Sequence, residues 1–220
     1  MIARISELFS VAEQKNTFRQ AATRGLFSME LNEIIKKLEI ILSPGRFNHS
    51  LEVMKASIRL AEKYGEDAEK AALAGLVHDC AKDMRKDDIL PACKKYGIIV
   101  DEITASRPEL LHGQIGSHMA AELFGIECPG ILAAIADHTM GRPGMDKLSS
   151  IVFIADYIED SRDYIGVDAI REAAKESLEK AIVAGIDNTI RHILDKGRFL
   201  HPQTVATRNW ALRRLKEGNE

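Results

Sequence analysis

The chain has 220 residues, 45% hydrophobic and 29% charged, the length and make-up of one folded domain or two very small ones, which excludes a disordered polymer. Thirty basic against thirty-three acidic residues leave a net charge of −3, without the basic excess of a nucleic-acid-binding surface, so no nucleic-acid partner is expected. Apolar runs such as Ile151 to Ala155 fall far short of the ~20 residues that cross a bilayer; with no signal peptide evident, a cytoplasmic protein without a membrane partner is expected. Cys80, Cys93 and Cys128 are odd in number and form no CxxC pair, so they read as small buried hydrophobes rather than as disulfides or a zinc knuckle.

Residues 1 to 28 read as a loosely attached extension ahead of a single domain over residues 29 to 220. From Met29, the recurrence of Leu31, Ile34, Ile35, Leu38 and Leu42 predicts an amphipathic helix. Ser43-Pro44-Gly45 breaks the pattern, and a second helix is predicted from Phe47 to Tyr64, ended by Gly65. Further helices are predicted over 67–82, 86–96, 111–124, 129–138, 147–160, 168–196 with a break near Glu176, and 204–216. No segment alternates at period two, and no period of 20 to 50 residues repeats. The expected fold is all-α, a helical bundle with its polar site in the core.

That site follows from asking which face of its helix each histidine occupies. His49 shares a row with Val53, Ala56 and Leu60; His78 follows Ala71 and Ala74 in the nearly all-apolar AALAGLVHDC; His112 lies on a row with Ile115 and Met119; His138 closes the row Ile131, Ala134, Ile135. Taken singly, such a histidine is more often a hydrogen-bonded core residue. Two carboxylates change the reading, because Asp79 and Asp156 (within IVFIADYI) also sit in apolar surroundings. A buried carboxylate costs several kcal/mol unless paired or metal-bound. One or two divalent cations would account for all six groups. Nitrogen and oxygen donors without thiolate suit iron, manganese, cobalt, nickel or zinc, and calcium poorly. His118 and His192 fall off the apolar stripes and read as surface residues.

The spacing His49, His78-Asp79, Asp156 resembles the HD superfamily of metal-dependent phosphohydrolases. Over residues 30 to 210 the segments RFNHSLEV, LAGLVHDCAKD, LLHGQIG, HTMGRPGM, IVFIADYIEDSRDY, DNTIRHIL and FLHPQTVATRN resemble its YqeK branch, the symmetrical dinucleoside-tetraphosphate hydrolases. The resemblance implies an HD-type helical domain carrying iron and cleaving diadenosine tetraphosphate into two ADP. It implies His49, His78, Asp79 and Asp156 as metal ligands, and Arg46, Asp79, His112, His138, Asp156, Arg162, Arg198, His201, Pro202, Gln203 and Thr204 as nucleotide contacts.

Attack on phosphorus by a metal-activated water needs charge compensation more than covalent chemistry. Asp79 would ligate and orient that water. His112 and His138 have two roles open, second-metal ligands or phosphate contacts with one donating a proton to the leaving ADP, and the resemblance favours the phosphate role. Arg46 and Arg162 offer bidentate donors for phosphate, and Lys82, one turn beyond His78, is a further candidate. The loop from Thr139 to Gly144 shapes the pocket mouth, and Thr204 reads as an N-cap whose backbone amides suit an anion. A second copy of the chain remains an open partner. Competing readings are another HD-type nucleotide hydrolase acting on alarmones, deoxynucleoside triphosphates or nucleoside monophosphates, a di-iron oxygenase, and an inactive signalling module.

Overall fold

The computed structural model describes residue 29 and residues 31 to 217, and the extension expected over residues 1 to 28 lies outside the described residues. Among the described residues there are eleven α-helices, one 3-10 turn and no strand, which bears out the all-α expectation. They are α1 (Leu31–Ile41), α2 (Pro44–Tyr64), α3 (Ala68–Val77), α4 (Lys86–Tyr96), α5 (Glu102–Ser106), the 3-10 turn Pro108–Leu111, α6 (His112–Phe124), α7 (Pro129–Asp137), α8 (Lys147–Ile158), α9 (Val167–Glu176), α10 (Leu178–Asp195) and α11 (Pro202–Glu217).

The centre of the bundle is α3, whose Ala71, Ala72, Leu73, Ala74, Leu76 and Val77 are fully buried. Its small residues let α2 approach closely: a Cβ at Gly75 would stand 2.6 Å from Ser57 Oγ and 3.1 Å from Met54 Cα. α3 starts where Asp67 accepts from the backbone N–H groups of Glu69 and Lys70 at 3.0 and 3.1 Å, an N-cap worth ~1 kcal/mol. α8 packs across α2, α3, α7 and α10 with Ile151, Val152, Phe153 and Ile154 buried. α9, α10 and α11 stack outward from α8, while α4, α5 and the 3-10 turn close over α6 through a smaller apolar cluster of Ile89, Cys93, Leu111 and Ile115.

Three helix boundaries differ from the sequence reading in ways that bear on the site. α2 begins at Pro44, because proline is well placed in a first turn where its missing N–H would be unpaired; Arg46 is therefore helical and His49 lies in the second turn. α3 ends at Val77 instead of residue 82. Beyond it Cys80 N–H, Lys82 N–H and Met84 N–H donate three residues back, to Val77, Asp79 and Ala81, and this tightened turn allows His78 and Asp79 to face the same space. α11 begins at Pro202, so Thr204 lies inside its first turn and is not its cap. Cys80 and Cys93 are buried as expected, whereas Cys128, the residue preceding α7, is half-exposed.

Candidate active site

Four imidazoles and two carboxylates meet where α2, α8, the C-terminal ends of α3 and α7 and the start of α6 converge. His49, His78 and Asp79 form one group of donor atoms; His78, His138 and Asp156 form a second; Asp79, His112 and His138 form a third, and within each group the atoms lie within 4.8 Å of one another. His78, Asp79, His112 and His138 are all at most 4% exposed, and His49 is buried.

The backbone aims three of the rings. His78 Nδ1 lies 2.7 Å from the Gly75 carbonyl, His112 Nδ1 2.6 Å from that of Glu109, and His138 Nδ1 2.7 Å from that of Ile135. A carbonyl can only accept, so each Nδ1 carries the proton and each Nε2 presents a lone pair to the shared space. In each case the acceptor is three residues earlier, at the end of a helical turn whose last carbonyls have no intrahelical partner. His49 is aimed differently: its Nδ1 lies 3.1 Å from Glu159 Oε1. Glu159 is buried and also accepts from Ser161 N–H and Ser161 Oγ at 2.6 and 2.7 Å. Burial pushes its pKa up, but the Ser161 and His49 hydrogen bonds more than offset this and leave it lowered.

Asp79 joins the groups. Its Oδ1 lies 3.0 Å from His112 Nε2 and 3.3 Å from His138 Nε2, which are themselves 2.9 Å apart. Its Oδ2 lies 3.5 Å from His78 Nε2, 3.8 Å from His49 Nε2 and 2.7 Å from Arg46 Nη1. Asp156 Oδ1 stands 3.0 Å from His49 Nε2 and 3.9 Å from His78 Nε2, and it accepts from Arg162 Nη2. Burial holds His78 down to about 4, so it is neutral at neutral pH, and burial lowers His112 as well. Burial pushes Asp79 and Asp156 up, yet both end well below the carboxylate range because the surrounding imidazoles, when protonated in acid, and Arg162 at Asp156 favour their charge.

This donor set fits a divalent ion. His78 Nε2 is fully buried and has no hydrogen-bond partner among the described residues, which an uncompensated interior lone pair would make costly by ~1–3 kcal/mol. Nitrogen and oxygen ligands ~2.1 Å from an ion stand about 3.0 to 3.4 Å apart; the triangle of Asp79 Oδ1, His112 Nε2 and His138 Nε2, with edges of 2.9, 3.0 and 3.3 Å, has that spacing already. Lys82 Nζ stands 3.2 Å from His112 Nε2, and Thr139 Oγ1 3.3 Å from both imidazole nitrogens.

The remaining expected contacts lie to one side. His201 Nε2 is 2.8 Å from Asp101 Oδ2, and His201 Nδ1 accepts from Gln203 N–H at 3.1 Å. Gln203 Nε2 donates to the Gly141 carbonyl, Thr207 Oγ1 to that of Met140, and Thr204 is buried. With Met140, Leu111 and Ala136, the residues Asp101, His201 and Gln203 border a cavity of about 490 Å³. Arg198 sits exposed on the α10–α11 connection and makes no side-chain bond to the cluster among the described residues. His118 and His192 are exposed, as their positions off the apolar stripes predict, and His118 stacks on Tyr96 with ring centroids 4.7 Å apart.

Sequence reasoning missed Glu159 and placed Thr139 only in the loop at the pocket mouth, without a contact to the imidazoles. A signal existed for Glu159: it is the C-cap of α8, where the helix dipole disfavours an anion. For Thr139, between His138 and a glycine-containing loop, no sequence signal separates it from an ordinary turn residue.

An HD-domain model matches residues 46–161, a segment that begins at Arg46 and contains every member of the cluster. The chain is 38% identical over 180 residues to the symmetrical bis(5'-nucleosyl)-tetraphosphatase of Halalkalibacterium halodurans, covering 80% of this chain and 96% of that one. It is 35% identical over 185 residues to the protein of the same name from Bacillus subtilis, covering 83% of this chain and 97% of that one. The chain belongs to the HD-domain family, among its symmetrical bis(5'-nucleosyl)-tetraphosphatases. The resemblance carried by the sequence motifs is thereby borne out. The crystal structure of an HD superfamily hydrolase from Clostridium acetobutylicum, described as involved in NAD metabolism, superposes with a TM-score of 0.82 at 43% identity, covering 86% of this chain and all of that one. The matched HD segment thus holds the whole imidazole and carboxylate cluster, whereas Arg198 and His201 to Thr204 lie C-terminal to it. No helix among the described residues is long and apolar enough to cross a membrane.

Proposed function

We propose that this HD-domain chain is a metal-dependent hydrolase that cuts dinucleoside tetraphosphates symmetrically, diadenosine tetraphosphate to two ADP. The observation that carries the reading is the Asp79 carboxylate, with one oxygen toward His112 and His138 and the other toward His78 and His49, in a chain whose full-length relatives bear the name of that activity.

His49, His78, Asp79 and Asp156 would hold an ion, with iron the preferred identity and manganese, cobalt, nickel or zinc the alternatives. When bound, a divalent ion acidifies water and offsets charge on the attacked phosphoryl group. Asp79 and Asp156 would orient that water through carboxylates that neighbouring cations keep ionised despite their burial. Arg46 and Arg162, now 2.7 Å from Asp79 and bonded to Asp156 respectively, each retain further N–H donors for phosphate oxygens. Lys82 supplies a third cation beside His112. Nε2 of His112 or His138 would take a proton from the attacking water and hand it to the departing diphosphate, a role worth ~10²–10⁴ in rate. Arg198 and His201 to Thr204 would receive one nucleotide end. A second ion between Asp79, His112 and His138 is the alternative role for those imidazoles, supported by the spacing of their nitrogens. The reading places the enzyme in the cytoplasm, without nucleic acid, and leaves self-association to measurement.

Purified protein loaded with iron or manganese and given diadenosine tetraphosphate is expected to release ADP alone, with elemental analysis reporting one or two ions per chain. Release of ATP and AMP would move the cut off the central bond, and the absence of any nucleotide product would overturn the reading.

A further inference from the structure

A tetraphosphate bridging two nucleosides is symmetric about its central oxygen, so cutting there places one nucleoside at equal reach on either side of the broken bridge. Two nucleoside seats are needed. The segment His201 to Thr204, beside the 490 Å³ cavity, provides for one. A separate cavity of about 600 Å³ has none of those residues in its wall, and its size is that of small-molecule sites, ~300–1,000 Å³. It reaches the cluster, because Asp156 and Arg162 are part of its wall.

The rest of its wall comes from the α8–α9 connection and from α10, and its chemistry is that of a nucleoside site. Tyr164 donates from its hydroxyl to the Tyr157 carbonyl at 2.8 Å, which fixes the ring as a flat surface on which a base can stack. Ile165 stands 97% exposed beside it, an apolar side chain that a stacked base would cover. Gly166 adopts φ +97°, and a Cβ there would lie 2.7 Å from Asn188 Oδ1, so the turn is shaped around the Asn188 amide. A carboxamide pairs an acceptor with a donor and matches the donor and acceptor edge of adenine. Arg191 and Asp195 also line the wall, one suited to phosphate and the other to ribose hydroxyls. None of Tyr164, Ile165, Asn188, Arg191 and Asp195 belongs to the imidazole and carboxylate cluster.

We propose that this cavity seats the second nucleoside of the substrate, a purine nucleoside whose base stacks on Tyr164 and Ile165 and whose edge is read by Asn188. The proposal rests on the functional reading above and extends it to the far half of the substrate.

The test counts ADP bound to the manganese-loaded full chain by calorimetric titration, in the parent protein and in Ile165→Glu and Asn188→Asp. Ile165 is almost wholly exposed, so its replacement leaves packing intact, and Asn188→Asp is nearly isosteric. Two ADP per chain are expected in the parent and one in either variant, with KM for diadenosine tetraphosphate raised about tenfold or more. One ADP per chain in the parent, or two in the parent and in both variants, overturns the proposal. If two ADP bind and a variant loses one while the tetraphosphate is not cleaved, the functional reading fails and the subsite stands. If the tetraphosphate is cleaved to ADP with a single ADP bound, the reverse holds.

Discussion

At the scale of the residue, the carboxylate of Asp79 does what no other group in the cluster does: each of its oxygens serves a different set of imidazoles. Asp79→Ala is expected to reduce turnover below detection and to lower bound metal, with the helical circular dichroism retained. His112→Ala removes one proton donor or phosphate contact and should leave a measurable residue, a loss of about 10²–10⁴; equal residual rates in the two variants would contradict this division of roles. Glu159 acts through another residue, since it touches His49 and not the shared space. Glu159→Gln should weaken metal binding by about 10- to 100-fold, read by competition with a chelator, while a purely structural role would move the melting temperature and leave the affinity alone. These residues differ in how legible they were. His78 and Asp79 stood out because a helix apolar on all sides has no use for a charge. Glu159 did not, because it sits three positions beyond Asp156 among acidic residues that are mostly solvent-facing, and its partner is 110 positions away.

At the scale of the element, the site depends on how closely helices approach. A Cβ at Gly113 would stand 3.0 Å from the Ala136 carbonyl and 3.1 Å from that of Ile135, and the second of these holds His138. Gly113→Ala is therefore expected to force α6 from α7, to destabilise the fold by about 1–3 kcal/mol and to spread His112 from His138 with a fall in turnover. Gly45, in the first turn of α2, has nothing within 4 Å of its would-be Cβ, so Gly45→Ala should be neutral or slightly stabilising by helix propensity. Denaturant midpoints of the pair check both directions. The order and extent of the long helices were legible from periodicity, and α4 and the break between α9 and α10 fell where expected. The ends were not, for local reasons: Pro44 and Pro202 open helices where a sequence reader sees a break, and α3 stops at Val77 because the turn after it is tightened. The five residues of α5 are too few to show a period; only the Asp101 cap, accepting from Ile103 N–H and Thr104 N–H at 2.9 Å, marks it.

At the scale of the molecule, the cluster couples stability to pH. An unfolded histidine takes up its proton near pH 6.5, whereas His78 in the fold does so near 4. Its contribution is intact above 6.5 and is lost as pH falls toward 4, by about 3 kcal/mol for a fully buried group. The depressed carboxylates of Asp79 and Asp156 contribute above their unfolded values and are lost only below about pH 4. The chelator-treated protein should thus hold its melting temperature at pH 7 to 8 and lose it progressively below 6.5, and His78→Gln should flatten that slope; an acid-insensitive melt in the parent would refute the assignment. The general placement of the site was legible because six polar groups in apolar rows need a common reason. The seat beyond Tyr164 was not, since its wall joins a loop to a helix that only the packing of α8 on α10 brings side by side. One consequence follows from the peptide carbonyls that steer His78, His112 and His138. An anchor made of main chain does not depend on the side chain it belongs to, so drift at positions 109 and 135 can leave the aim of the rings untouched, whereas a one-residue insertion in those turns would misdirect an imidazole without altering a single ligand.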